Sequence, residues 1–342
     1  MLKSKLLKLI WPIHFHVRRR MLPFKLKRAE LNILKNYTAA YSKRNIKKEI
    51  VLMIDDHYSS GGFMDKIKGI ISGKYIANSL GIEFYVYIKK DHFPVYKFLS
   101  VKNDLFRLTN DEMYFDATSS PIILYNYIPS KKSILKKFTS KNQYHLYCNM
   151  NVIPTFNIEK NETDQNHIWA TCFKELFSFN DTILALDQLA IISQKQKIAI
   201  HLRFMNSLGD FNDIRNNELQ KEEKEELIQI CLHTIKKIIY TNKESKKVLI
   251  FSDSALFLNL VKEHFLGTDL EQNIFINTDN IKHSALNIDN KVFEKTILDF
   301  YQMSCCHKTF QIHYNHMHNS DFSKYASFIN HSAYQLVEAS ND

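Results

Sequence analysis

Apolar and polar positions change period several times along the chain, and each change marks a predicted element. Residues 49–54, EIVLMI, form a short apolar run suited to a buried strand. From Met64 to Leu80 the apolar positions Ile67, Ile70, Ile71, Tyr75 and Leu80 fall mostly on one helical face. A second strand pattern, EFYVYI, occupies 83–88. Strand, glycine-bearing loop, helix and strand together make a βαβ unit. From 91 to 196 the pattern is less regular: a strand is expected over 121–128, a basic helix over 130–140, polar loop over 151–166, and helices over 167–179 and 181–193. Regularity returns with strands at 197–203, 247–251, 273–276 and 308–313. The expected helices between and after them are 218–240, 254–264 capped by Ser254, 292–303, and one starting at Ser320. The expectation is an α/β protein with a parallel sheet in its second half.

Length and charge refine this picture. A chain of 342 residues suggests two domains. The net charge of +10 is concentrated at one end. Residues 1–50 carry 14 Lys and Arg against Glu30 and Glu49, a local +12, so the remainder sums to −2. A basic footprint confined to one end argues against nucleic acid as a partner. That end mixes Leu, Ile, Trp11 and Phe15 with Lys and Arg, but its apolar runs are far short of a bilayer span. It fits a segment lying on an anionic membrane surface. The cysteines Cys148, Cys172, Cys231, Cys305 and Cys306 are odd in number and include an adjacent pair, which speaks for a reducing compartment.

The stretch with the most chemistry is KIAIHLRFMNSLGD, 197–210. It delivers His201 and Arg203 where a buried strand should end, and ligands of open α/β sheets bind beyond the carboxyl ends of strands. An Arg fork there suits phosphate. It could meet the charge that develops on a leaving diphosphate. Gly61 and Gly62 precede a helix and would let backbone N–H groups approach a ligand, although G-x-G-x-x-G is absent. His313, His316 and His318 have spacing that could supply two metal ligands, but a His-rich loop is the preferred reading. No D-x-D stands in this region, so neither a catalytic metal nor any other cofactor is expected.

Five pieces, in order, resemble the GDP-fucose-dependent fucosyltransferases of the core α1,6 and rhizobial nodulation type, relatives of the protein O-fucosyltransferases. They are GGFMDKIKG from Gly61; His201-Leu202-Arg203, with Asn206 where the family's H-x-R-x-x-D has Asp; the strand ending at Asp253; ILDFYQMS with Asp299 and Ser304; and the turn leading to Ser320, Ser323 and Ala326. The resemblance covers roughly residues 50–90 and 197–330. It implies a GT-B fold of two Rossmann-like domains facing a cleft. The expected division is a basic segment over 1–48, an acceptor-side domain over 49–196 and a nucleotide-sugar-binding domain over 197–335.

The resemblance also implies roles. Arg203 would stabilise the leaving diphosphate, with His201 beside it. Asp253, Gly61, Gly62 and Ser323 would belong to the nucleotide-sugar site. Asp299 would accept hydrogen bonds from guanine or ribose, and Ser320 would cradle phosphate. Asp210 would be the general base, with Asp213 in reserve. The implied activity is inverting transfer of fucose from GDP-fucose to a glycan or lipid-linked oligosaccharide. The setting would be bacterial surface-polysaccharide synthesis, in the cytoplasm or peripheral on the inner membrane. The alternatives are another nucleotide sugar, or a non-catalytic carbohydrate- or membrane-binding protein on the same fold, which Asn206 keeps open.

Overall fold

The structure is a computed structural model. It describes residues 27–37, 47–55, 61–89, 93–101, 104–107, 113, 115, 120–125, 130–139, 142–211, 218–278, 290–315 and 317–340. The basic segment before residue 27, Asp213 and His316 lie outside the described residues. Among the described residues no helix is long and apolar enough to cross a membrane.

The chain forms two compact units. The first comprises the described residues within Met1–Ser60, Lys68–His92 and Phe106–Phe156; the second those within Gly61–Ile67, Phe93–Leu105 and Asn157–Asp342. The second unit thus begins at Asn157, ahead of the boundary expected at 197, and also takes in 61–67 and 93–105. The cause is packing that no linker composition signals. Trp169 meets Tyr325 at 4.9 Å, and Phe179 meets Tyr301 at 4.8 Å. These rings tie residues 157–196 to the later chain.

The first unit holds helix α1 over residues 27–34. Strands β1 (Glu49–Ile54) and β2 (Glu83–Ile88) flank helix α2 (Phe63–Leu80), whose first turn belongs to the second unit. The first unit continues with β4 (Phe106–Arg107), β5 (Ile122–Tyr125), α3 (Lys131–Leu135), β6 (Gln143–Cys148) and α4 (Ile153–Phe156). Its sheet runs β4-β2-β1-β6-β5, parallel throughout. Helix α2 docks closely on β6: a Cβ on Gly69 would stand 2.0 Å from the Cys148 carbonyl oxygen.

Strand β6 was not expected, because QYHLYC places Gln143 and His145 on positions that are wholly buried. Their partners are tertiary. Neutral His145 donates from Nε2 to Gln143 Oε1 (2.8 Å), and its Nδ1 accepts from the Tyr37 hydroxyl. Gln143 Nε2 donates to Glu49 Oε1 (2.7 Å), and Arg107 grips both oxygens of Glu49 at 3.0 and 3.1 Å. Burial of polar side chains is tolerated when hydrogen bonds replace those to water.

The second unit starts with the first turn of α2 and a two-stranded antiparallel pair, β3 (Leu99–Val101) with β7 (Phe177–Phe179). It includes α5 (Glu162–Leu176) and α6 (Asp181–Leu186), capped by Asn161 and Asn180. The loop expected over 151–166 is therefore partly helical, and the helix expected over 181–193 stops at Leu186. Then follow β8 (Lys197–Leu202), α7 (Lys221–Thr241), β9 (Lys247–Ser252), α8 (Ala255–Phe265), β10 (Ile274–Ile276), α9 (Asn290–Ser304), β11 (Lys308–His313), α10 (Asp321–Ile329) and β12 (Ala333–Glu338). All pairs in β10-β9-β8-β11-β12 are parallel.

Counted within this sheet the strand order is 3-2-1-4-5, a doubly wound order whose switch point lies between β8 and β11. Both units are Rossmann-like, and the α/β class is as expected. The second core gathers Ile198, Ile200 and Leu202 of β8 with Cys231, Ile235 and Ile238 of α7 and Phe257 of α8. Each fully buried Leu or Ile there contributes ~1.5–3 kcal/mol. Helix α7 begins with a capping box between Gln220 and Glu223.

Candidate functional site

Strand β8 brings its chemistry to its C-terminal end, beside the switch point. His201 is buried, and its Nδ1 lies 3.0 Å from Ser323 Oγ of α10. The flanking strand β11 places Gln311 in register with His201. With its amide oriented to satisfy its neighbours, Gln311 donates to the Ser320 carbonyl and accepts from the Ser320 N–H, both at 2.7 Å, and donates to Ser323 Oγ at 3.3 Å. The Ser323 hydroxyl is then free to donate to Nδ1 of a neutral His201 whose proton sits on Nε2. Burial, aided by Arg203, pushes the His201 imidazole down to about 3.

Arg203 follows the strand and is partly exposed, at 23% of its side chain. Its guanidinium lies 3.3 Å from Asp253 Oδ2 and stacks 4.7 Å from the centre of the Phe211 ring. Asp253, just beyond β9, also accepts the N–H groups of Phe204 and Met205, each at 2.8 Å. It therefore pins both the guanidinium and the turn that carries it, in which Met205 adopts a φ of 54°. Burial raises the Asp253 carboxyl above its ordinary range, against the opposing pull of Arg203 and the two amides. The Arg203 carbonyl accepts from His318 N–H at 2.9 Å, which fixes the loop before α10.

Two helix N-termini and a carboxylate surround an aromatic group next to His201. Phe322 of α10 stands 5.8 Å from the His201 ring, 5.4 Å from Phe300 of α9 and 6.0 Å from Phe63 at the start of α2. Ser320 caps α10, its Oγ accepting from Phe322 N–H at 3.2 Å. Gly61, with φ of 76°, and Gly62 lead into α2. Gly62 N–H donates to Asp65 at 3.3 Å, and Lys66 Nζ donates to the Gly61 carbonyl at 2.9 Å. Burial lowers the Lys66 ammonium to about 8.

Asp299, beside Phe300, pairs with Lys295 through Oδ2, while its buried Oδ1 has no partner. Burial raises the Asp299 carboxyl, with Lys295 opposing. An unpartnered buried carboxylate oxygen is costly.

The structure thus gathers His201, Arg203, Asp253, Ser320 and Ser323 around the C-terminal end of β8, with Gly61, Gly62 and Asp299 joined to them through the phenylalanines. Asp210 has another occupation. Its Oδ2 accepts from Ser254 Oγ (2.9 Å) and Leu256 N–H (2.8 Å) at the start of α8. His313 has both ring nitrogens engaged, by Glu338 at 2.9 Å and the Met317 carbonyl at 3.0 Å. Among the described residues no group of three His, Cys, Asp or Glu could hold a metal ion. Sequence reasoning missed Phe211, Gln311, Lys295 and Lys66. Phe211 and Gln311 act through packing and pairing that no spacing encodes. The signals available were Lys66, beside Asp65 in the first turns after Gly61 and Gly62, and Lys295, one helical turn before Asp299.

No protein-family model and no curated protein matches the chain. Among solved structures it is similar to NodZ alpha-1,6-fucosyltransferase co-crystallized with GDP, at a TM-score of 0.49 and 15% identity, over 82% of this chain and 92% of that one. It is also similar to POFUT1 in complex with GDP-fucose, at a TM-score of 0.42 and 11% identity, over 86% of this chain and 99% of that one.

Proposed function

We propose that the protein is an inverting glycosyltransferase that moves fucose from GDP-fucose to a glycan acceptor in bacterial surface-polysaccharide synthesis. The observation that supports this best is the guanidinium of Arg203, held by Asp253 and backed by Phe211 beyond the end of β8. A cation fixed before the reaction stabilises developing charge without reorganising when it appears. In this reading the acceptor oxygen attacks the anomeric carbon and the bond from that carbon to the diphosphate breaks. The electron pair leaves on the phosphate oxygen that Arg203 faces. The acceptor proton goes to Asp210, whose Oδ2 is occupied and whose Oδ1 is left for the task. In this reading the positive end of the α10 dipole, at Ser320, faces the diphosphate. In the same reading Asp299 accepts hydrogen bonds from guanine or ribose once nucleotide binding uncovers its buried Oδ1.

Thermal shift with GDP, UDP and CMP tests the reading. GDP should stabilise the protein most, by about 2.7 kcal/mol at a hundredfold excess over its Kd. Equal shifts with all three nucleotides would reject the GDP-fucose assignment. Indifference to every nucleotide would favour a carbohydrate-binding protein without transferase activity.

A further inference from the structure

A cavity lies at the other end of the same strand. It occupies about 340 Å³ and is lined by residues 187, 190–194, 197, 301, 305 and 330, all in the second unit. Lys197 opens β8, whereas Arg203 follows its end, so about 20 Å of extended chain separates the cavity from the candidate nucleotide site. The volume is at the small end of the range of ligand pockets, roughly 300–1,000 Å³.

The cavity contains polar groups whose hydrogen-bonding capacity is left over. Lys197 is 3% exposed, yet its ammonium makes one hydrogen bond, to the Leu189 carbonyl at 3.2 Å. Asp187 is 7% exposed; its Oδ1 accepts from Leu189 N–H (3.1 Å) and Gln302 Nε2 (3.0 Å), and its Oδ2 has no partner. The two charges do not form an ion pair with each other. Gln194 and Asn330 use their amide nitrogens on Cys306, Ser332 and Ser304, which leaves both amide oxygens open. Ile191 and Tyr301 also line it, with Ile191 on the solvent-exposed rim.

We infer that this cavity is a binding subsite for a neutral sugar residue of a glycan. The charges of Lys197 and Asp187 cancel, so a neutral ligand is favoured over an ion. The remaining acceptors, the amide oxygens of Gln194 and Asn330, call for hydroxyl donors. The single ammonium calls for an oxygen acceptor, and a hydroxyl group is both. Ile191 and Tyr301 offer apolar surface to the C–H face of a pyranose ring. A free carboxylic acid would leave Asp187 facing a second negative charge, and an apolar ligand would leave Lys197 buried with one partner. The inference rests on this cavity alone and does not require the transfer reaction.

Saturation-transfer NMR on the full chain tests it, with the methyl glycosides of glucose, galactose and mannose, and with acetate and glycine as charged controls. At least one methyl glycoside should show transfer, and the controls should not. Ala190, exposed at the rim, allows the cavity to be filled without touching the core. Ala190→Trp should weaken the signal by roughly tenfold, equivalent to about 1.4 kcal/mol, with the melting temperature unchanged. Should that variant fail to fold, Gln194→Ala, which removes an exposed acceptor, should reduce the same signal. No transfer to any glycoside, equal transfer in the variants, or preference for acetate or glycine would overturn the inference.

Discussion

Arg203 shows how one side chain is prepared for a task that the rest of its strand does not perform. Asp253 fixes its direction, Phe211 backs its plane, and nearly a quarter of it stays open to solvent. If it stabilises a leaving diphosphate, its contribution must be larger in the transition state than with bound substrate. Arg203→Ala should then lower turnover, measured as GDP release from GDP-fucose with a glycan acceptor, by on the order of 10²–10³-fold. GDP affinity should fall by less. Arg203→Lys should recover little, because an ammonium cannot reproduce the planar fork. Parent-like turnover in Arg203→Ala would place the reacting centre elsewhere. The H-x-R pair was legible because a polar pair closing an apolar run is a local signal. Its pairing with Asp253 crosses from one strand to the next and was not.

At the scale of an element, α10 connects the most parts of the site. Its cap Ser320 is gripped by Gln311 from β11, and its first turn supplies Ser323 to His201. Ser320→Ala removes the acceptor for Phe322 N–H and should cost about 0.5–2 kcal/mol of stability. Under the nucleotide reading it should also shrink the stabilisation by GDP, so melting curves with and without GDP separate the two effects. A variant that melts like the parent but keeps the full GDP shift would remove α10 from the site. The element was legible from its Ser cap and apolar spacing. By contrast, the edge strand β12 (AYQLVE) escaped notice, since its largely exposed and half-exposed positions carry little core pattern.

For the whole molecule, each unit carries a buried neutral histidine: His145 in the first and His201 in the second. Burial pushes both down to about 3 from an ordinary 6.5. The unfolded chain therefore binds protons below pH 6.5 that the folded units refuse until about pH 3. Their contribution to stability is complete above pH 6.5 and is lost as pH falls from 6.5 towards 3. Each histidine can contribute a slope of up to about 1.4 kcal/mol per pH unit. Urea unfolding at pH 7 and pH 5 should show the loss, and His145→Gln should flatten it for the first unit. Equal stability at the two pH values would mean that these rings take up protons in the folded state.

The sequence by itself determined the α/β class, most strands and helices of the second sheet, and the place where His201 and Arg203 emerge. These depend on period, caps and strand-end position, all of which are local. Tertiary structure alone decided that residues 157–196 join the later chain, because aromatic packing across distant segments sets that boundary. It also decided that β6 is a strand, because Gln143 and His145 become buriable only when Glu49, Arg107 and Tyr37 meet them. The same holds for Asp210, a loop carboxylate in the sequence whose Oδ2 is committed to the start of α8 once β8 and β9 lie side by side. A hydrogen bond between residues far apart in the chain leaves no period behind, so only the folded arrangement records it.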